Sequence, residues 1–96
     1  KEAGVALENA VALAPLRFPA AYYYLGQVYL ALGDYPKAKS RLTVAVRLEP
    51  KRAEYRYSLC LANEKLGDKE GARYQCQEAL ELKPDYKEAE EVLKRL

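Results

Sequence analysis

The most constraining feature of this 96-residue chain is an internal repeat with a period of 34 residues. Shifted along itself by that period, the sequence places residues of the same type opposite each other. The aligned pairs are Leu25 with Leu59, Leu32 with Leu66, Gly33 with Gly67, Asp34 with Asp68, Ala38 with Ala72, Ala45 with Ala79, Leu48 with Leu82 and Pro50 with Pro84. A period in this range is typical of stacked helical units that bury one another's apolar faces. It favours a binding scaffold over an enzyme.

Each unit carries the local signals of two antiparallel helices. Apolar residues at helical spacing predict a first helix over Pro19–Leu32, and proline suits its first position. Gly33 suits the left-handed backbone that ends a helix, and Asp34 can cap the amides of a second helix over Tyr35–Leu48. Because the turn between them is so short, the two helices must run antiparallel.

The second unit repeats this pattern, and a further helix follows it. Helices are predicted over residues 52–66 and 69–82, again separated by a Gly-Asp turn. Asp85 and Glu88, three residues apart, predict an acidic version of a capping box that opens the last helix.

These signals divide the chain into four parts of one solenoid domain with about six helices. Residues 1–18 are predicted to be the second helix of a preceding half-repeat with its link. Residues 19–52 and 53–86 are the two full repeats, and residues 87–96 are a closing helix. The chain contains no methionine and opens inside a helical pattern, so we expect it to be a piece of a longer protein.

The repeat resembles the tetratricopeptide repeat, whose pattern is W-x2-L-G-x2-Y, then A-x3-F, then P. In the first unit only the Trp and the Phe are replaced. The matching residues are Tyr22, Leu25, Gly26, Tyr29, Ala38, Leu42, Ala45 and Pro50. The second unit departs from the pattern at Arg56 and Asn63, so we expect its helix contact to pack differently. The resemblance implies an all-α, right-handed solenoid whose first helices line a concave face that holds a peptide or partner segment.

The resemblance also implies which residues face that groove, namely those of the first helices that are not used in helix pairing. They are Tyr23, Tyr24, Gln27, Leu30, Ala31, Tyr57, Leu61, Glu64, Lys65, Glu91 and Arg95. Tyr23 and Tyr57 lie one period apart and are expected to be neighbours on one wall, where tyrosine supplies a large rigid contact area. The alternative is that these tyrosines only pack against adjacent helices, because the chain has nine of them.

One subclass of the family binds the acidic C-terminal tails of heat-shock chaperones through a clamp of Lys, Asn and Arg. The corresponding row in this chain is Tyr23, Gln27, Glu54, Ser58, Leu61 and Glu88. Only Lys65 and Arg95 bring positive charge nearby, and the acidic neighbours oppose a carboxylate ligand. A chaperone tail is therefore not the expected partner.

The charge and hydropathy of the chain argue against nucleic acid and membrane as partners. The net charge is +2, with an excess of basic residues in residues 1–52 and of acidic residues in residues 53–96. The basic excess fits a solvated helix face better than a weak site for an anionic partner, since nucleic-acid binders concentrate more positive charge on one face. No apolar run approaches the roughly 18 residues of a membrane span, so direct membrane insertion is not expected.

Histidine, the side chain most often used in catalysis and metal binding, is missing from the sequence. The chain has no histidine, which removes imidazole catalysis and the commonest metal ligand. Cys60 and Cys76 occupy facing positions of the second helix pair and are interpreted as small buried hydrophobes, with a disulfide as the alternative. We expect no enzyme activity, no cofactor and no metal.

Three functional hypotheses follow. The leading one is an interaction module that binds a peptide or partner segment of another protein in a tyrosine-lined groove. The second is a structural spacer or self-assembly unit that forms homo-oligomers through an uncovered N-terminal edge. That apolar edge would consist of Val5, Leu7, Val11, Leu13 and Phe18. The third is a repeat domain that delivers substrate within a larger enzyme.

Overall fold

The computed structural model of the chain describes Glu8 and residues 18–96, and this part of the chain contains five α-helices and no strand. The helices are α1 (Pro19–Leu32), α2 (Tyr35–Leu48), α3 (Ala53–Lys65), α4 (Lys69–Leu82) and α5 (Lys87–Arg95). The all-α class is therefore confirmed, with bounds that match the predicted ones for α1, α2 and α4. The helix predicted within residues 1–18 lies outside the described residues.

Both Gly-Asp turns have the predicted geometry. Gly33 and Gly67 adopt left-handed backbone with φ of 80° and 85°, which ends the first helix of each pair. The carboxylates of Asp34 and Asp68 then accept a hydrogen bond from the third amide of the following helix, at 3.3 Å and 2.9 Å. These local contacts reverse the chain and make the two helices of each repeat antiparallel.

The capping box predicted for the last helix is wrong. α5 begins directly after Tyr86, which takes the N-cap position without any side-chain cap. The amide of Tyr86 donates to the carbonyl of Lys83 at 3.1 Å, so Asp85 lies inside a turn. The physical reason is tertiary: the ring of Tyr86 is buried, with 8% of the residue exposed, and this packing fixes where the helix starts.

The helices pack in chain order, each against the next, as expected for a solenoid. The first repeat has a cluster of buried residues that includes Leu25 and Leu42, and Tyr55 and Leu59 of the next helix close it. A second cluster joins α3, α4 and α5. The core is thus divided into two successive layers, and α3 contributes to both of them.

The closest helix contact differs between the two repeats. In the first, a Cβ atom added at Gly26 would lie 2.3 Å from Cγ of Leu42, so glycine is required for this approach. One period later, Cys60 and Cys76 form a disulfide with a Cα–Cα distance of 5.5 Å. Both cysteines are fully buried, as expected, but the interpretation as unbonded hydrophobes is corrected. Helices that approach this closely bring facing sulfurs within bonding distance.

Candidate functional site

The first helices of the units form one continuous surface, which we call the groove face (the exposed sides of α1, α3 and α5). α1 contacts α3 directly. Ser58 of α3 donates to the side-chain oxygen of Gln27 at 2.8 Å. Arg95 of α5 donates two hydrogen bonds to the carboxylate of Glu64, at 2.7 Å and 2.8 Å. These hydrogen bonds join α1 to α3 and α3 to α5, so the three helices lie side by side on the groove face.

Each of the two predicted groove tyrosines lies against a second tyrosine. Tyr23 stacks on Tyr55 with ring centroids 4.6 Å apart, and Tyr57 lies against Tyr86 at 5.0 Å. Tyr23 and Tyr57 are half-buried, whereas Tyr55 and Tyr86 are only 6% and 8% exposed. Each half-buried ring therefore rests on a buried one, which holds it in place.

Tyr55 and Tyr86 were missed as parts of this site by sequence reasoning. The periodic pattern assigned Tyr55 to the helix-pairing side of α3, and Tyr86 precedes α5 in a segment without helical spacing. One period earlier, these positions hold Ala21 and Arg52, so the repeat itself gives no aromatic signal. These rings meet only because α3 packs beside α1, and α5 beside α3.

The other predicted residues are distributed along the groove face. Tyr24 is 55% exposed, with its ring 5.3 Å from that of Tyr23. Leu30 and Leu61 are half-buried against the two clusters. The further exposed members of the predicted set are Gln27, Ala31, Lys65, Glu91 and Arg95.

Burial and nearby carboxylates act together on the tyrosines of this face. Burial, followed by the charge of Glu54, raises the pKa of Tyr86 to about 12. Burial and then the charge of Glu88 raise the pKa of Tyr57 above its usual value. At the other end of the face, the hydrogen bond from Arg95 holds the pKa of Glu64 below its usual value. The raised pKa values keep the hydroxyls of Tyr57 and Tyr86 neutral at physiological pH.

The residues of the proposed self-assembly edge are mostly beyond the part of the chain that the structure describes. Val5, Leu7, Val11 and Leu13 lie outside it. Phe18 is described and is 44% exposed.

The described residues provide neither a cluster of metal ligands nor a helix that could cross a membrane. Glu8 and residues 18–96 hold no group of three or more His, Cys, Asp or Glu side chains suited to a metal ion. In the same part of the chain, no helix combines the length and the apolar character that a membrane crossing requires.

A family model described as tetratricopeptide repeat matches residues 3–38 and 25–87 of this chain. A TPR repeat-containing protein of Pseudomonas aeruginosa is 41% identical over 64 residues, which is 67% of this chain. The chain spans about a quarter of the length of that curated relative, 26%.

Solved structures with the same arrangement cover nearly all of the chain. One is a variant of the O-GlcNAc transferase of Thermobaculum terrenum, with a TM-score of 0.84 and 32% identity over 94% of this chain and 17% of that one. Another is the first TPR domain of Spaghetti (RPAP3) bound to an HSP90 peptide, with a TM-score of 0.87 and 22% identity over 93% of this chain and 70% of that one. At that identity, the second similarity shows the fold alone.

Proposed function

This chain belongs to the tetratricopeptide repeat family, and on that premise we propose that its groove face binds an extended segment of another protein. The observation that carries the proposal is the pair of half-buried tyrosines, Tyr23 and Tyr57, each resting on a buried tyrosine. A ring that is already held by its neighbours loses little freedom on binding, so more of its contact energy becomes affinity.

Two tyrosine anchors are consistent with a modest affinity for a peptide. Two tyrosine anchors contribute about 2 kcal/mol each, which is roughly half of the 8 kcal/mol of a micromolar complex. Leu30 and Leu61 add apolar surface between the helices, and both are half-buried. The polar groups of an extended peptide can pair with Gln27, which stays exposed while it accepts from Ser58.

Selection of peptides from a random display library against the folded chain tests this proposal without a known partner. Enriched peptides are then measured on the double variant Tyr23→Ala, Tyr57→Ala. We expect their affinity to fall by about 100-fold or more, because both anchors are removed. Circular dichroism checks that the variant is folded.

Tyr74→Ala is the matched control. Tyr74 is 54% exposed on α4, a second helix, so its ring is as accessible as a groove tyrosine but lies outside the groove face. Its substitution should change peptide affinity by less than about twofold. Peptides that bind equally well to the folded groove variant would refute the proposal.

The two other hypotheses stay predictions. Self-assembly depends on an apolar edge of which Val5, Leu7, Val11 and Leu13 lie beyond the described part of the chain. Delivery of substrate in a larger enzyme depends on sequence beyond these 96 residues. The similar O-GlcNAc transferase shares the repeat arrangement over only 17% of its own length.

A further inference from the structure

The groove face is charged unequally along its length, and we infer that its Tyr–Glu end selects a peptide segment that carries Lys or Arg. The Tyr–Glu end is defined by Tyr23, Tyr57, Glu54, Glu88 and Glu91. The inference rests on the proposed function and deepens it, because it names the chemistry of the ligand at the same face.

The carboxylates and rings of the Tyr–Glu end follow the period of the repeat. Glu54 and Glu88 are one period apart, in the first turns of α3 and α5. Tyr23, Tyr57 and Glu91 form a second row, each one period from the next. Both rows cross the helices near their N-terminal ends, so a segment lying across the groove meets aromatic and acidic side chains together.

The three carboxylates of the Tyr–Glu end are available to a ligand. Glu54, Glu88 and Glu91 are all exposed. Within Glu8 and residues 18–96, the salt bridges involve other carboxylates and leave these three without a cationic partner. Their combined charge therefore acts on whatever lies in the groove.

The effect of these charges on the rings is already visible within the chain. After the larger effect of burial, the charges of Glu54 and Glu88 raise the pKa of Tyr86. Burial and then Glu88 raise the pKa of Tyr57, where Arg95 opposes them and Glu64 and Glu91 add to them. Carboxylates that influence a phenol in this way are close enough to attract a cation placed against its ring.

The two buried rings that support Tyr57 and Tyr23 already contact cations of their own chain. Nζ of Lys83 lies 4.7 Å from the ring centroid of Tyr86, and the guanidinium of Arg52 lies 5.9 Å from that of Tyr55. Tyr23 and Tyr57 keep part of their surface exposed to the groove. A Lys or Arg of a ligand can lay its apolar stem on these rings and place its charge near the carboxylates.

The opposite end of the groove face does not share this character. There the carboxylate of Glu64 is neutralised by two hydrogen bonds from Arg95, and the exposed neighbour Lys65 adds a positive charge. The charge of Arg95 also reaches Tyr57 and Glu91, so the attraction for a basic segment is strongest beside Glu54 and Glu88. An acidic segment at the Tyr–Glu end would face three like charges.

Fluorescence polarisation with three labelled host peptides of about ten Gly, Ser and Ala residues tests the inference. One peptide carries three Arg, one three Gln and one three Glu. We expect the Arg peptide to bind the chain about tenfold more tightly than the Gln peptide at about 50 mM salt, with the Glu peptide weakest. The preference should shrink at about 300 mM salt, where exposed charges are screened.

Two triple variants with the same change in net charge distinguish attraction at the Tyr–Glu end from attraction by the net charge of the whole chain. Glu54→Gln, Glu88→Gln, Glu91→Gln should reduce the Arg-over-Gln preference to less than about twofold. The matched control Glu70→Gln, Glu78→Gln, Glu81→Gln on α4 should keep most of it. Tyr23→Leu, Tyr57→Leu retains apolar bulk but loses the aromatic faces, and it should weaken the Arg peptide about fivefold.

Several outcomes would overturn the inference: equal loss in both triple variants, binding of the Glu peptide as tight as that of the Arg peptide, or no binding of the Arg peptide. The library selection shows whether the proposed function fails as well. Groove-dependent peptides that are acidic or neutral would refute only the basic ligand, whereas the absence of any groove-dependent peptide would refute the function itself.

Discussion

The two full repeats close their helix pairs at corresponding positions with different chemistry. In the first repeat, Leu42 packs onto the bare backbone of Gly26. In the second, Cys60 and Cys76 occupy the equivalent positions and are covalently joined. One contact depends on the absence of a side chain and the other on a bond between two side chains. Corresponding positions thus join the two helices of each repeat by different means.

A second difference concerns the aromatic positions of the family pattern. In the first repeat, Tyr29 donates to the carboxylate of Glu8, which also forms a salt bridge of 2.9 Å with Arg41. In the second, the equivalent residue is Asn63, which is buried and whose side-chain oxygen has no hydrogen-bond partner among the described atoms. The second repeat has therefore lost a polar network that the first retains.

Arg56 shows how the second repeat compensates. It replaces Tyr22 and donates to the carbonyl of Pro50 at 3.0 Å and to the side chain of Gln75 at 3.1 Å. The departure of this repeat from the family pattern does change its packing, as expected. The comparison teaches that corresponding positions of the two repeats can hold their helices together through different contacts.

The largest effect should come from removing the disulfide. The double variant Cys60→Ala, Cys76→Ala removes a cross-link between residues that are 16 apart in sequence, so its unfolded chain is less restricted. We expect its free energy of unfolding to fall by about 3 kcal/mol. Urea unfolding of the oxidised proteins measures this. The parent chain in reductant is the control and should approach the variant. An oxidised parent no more stable than the variant would show that the second repeat does not depend on the bond.

The glycine contact of the first repeat should give the next largest effect. Gly26→Ala places a methyl group against Leu42 and is expected to destabilise the chain by about 2 kcal/mol, in spite of the better helix propensity of alanine.

A second background sharpens this test. With Leu42→Ala already present, the contacted atoms are gone, and Gly26→Ala should instead stabilise the helix by up to about 1 kcal/mol. Thermal melts of the four proteins measure the reversal of sign. The same sign in both backgrounds would mean that close approach is not what selects glycine.

The polar network of the first repeat should contribute least. Tyr29→Phe removes the hydrogen bond to Glu8, with an expected cost of about 1 kcal/mol at neutral pH because the group is partly exposed. Tyr74→Phe, on an exposed ring, is the control and should be neutral.

The cost of Tyr29→Phe should also depend on pH. Burial alone would raise the pKa of Glu8, but hydrogen bonds from Tyr29 and Arg41 hold it below its usual value of 4.5. A lowered pKa in the folded state stabilises the fold above the unfolded value, and this stability is lost as the pH falls through the folded value. The difference between parent and Tyr29→Phe should therefore be full at pH 7 and shrink below about pH 4. A difference that is constant with pH would contradict the role of the Glu8 carboxylate.

The sequence was most informative where structure is local. The bounds of α1, α2 and α4 follow from glycine turns and aspartate caps, which act within a few residues. The N-cap of α5 was predicted wrongly, as Asp85 instead of Tyr86, because the burial of Tyr86 against neighbouring units determines it.

The candidate site was less accessible to prediction for the same reason. The period placed Tyr23 and Tyr57 on one face but carried no information about Tyr55 and Tyr86, whose rings meet them only when units pack. Facing cysteines were recognised within one repeat, but their bond depends on how closely its two helices approach each other. Spacing in the sequence shows which positions face each other, whereas the distance between the helices and the contacts between units depend on packing.

The disulfide also has a mechanical consequence. It encloses the second Gly-Asp turn, so force applied to the two ends of the chain passes through the sulfur atoms and bypasses residues 61–75. In single-molecule stretching, the oxidised chain should extend to a contour length about 50 Å shorter than the reduced chain. When a longer repeat array that contains this hairpin is stretched, the loop closed by the disulfide would carry no force while the neighbouring helices unravel.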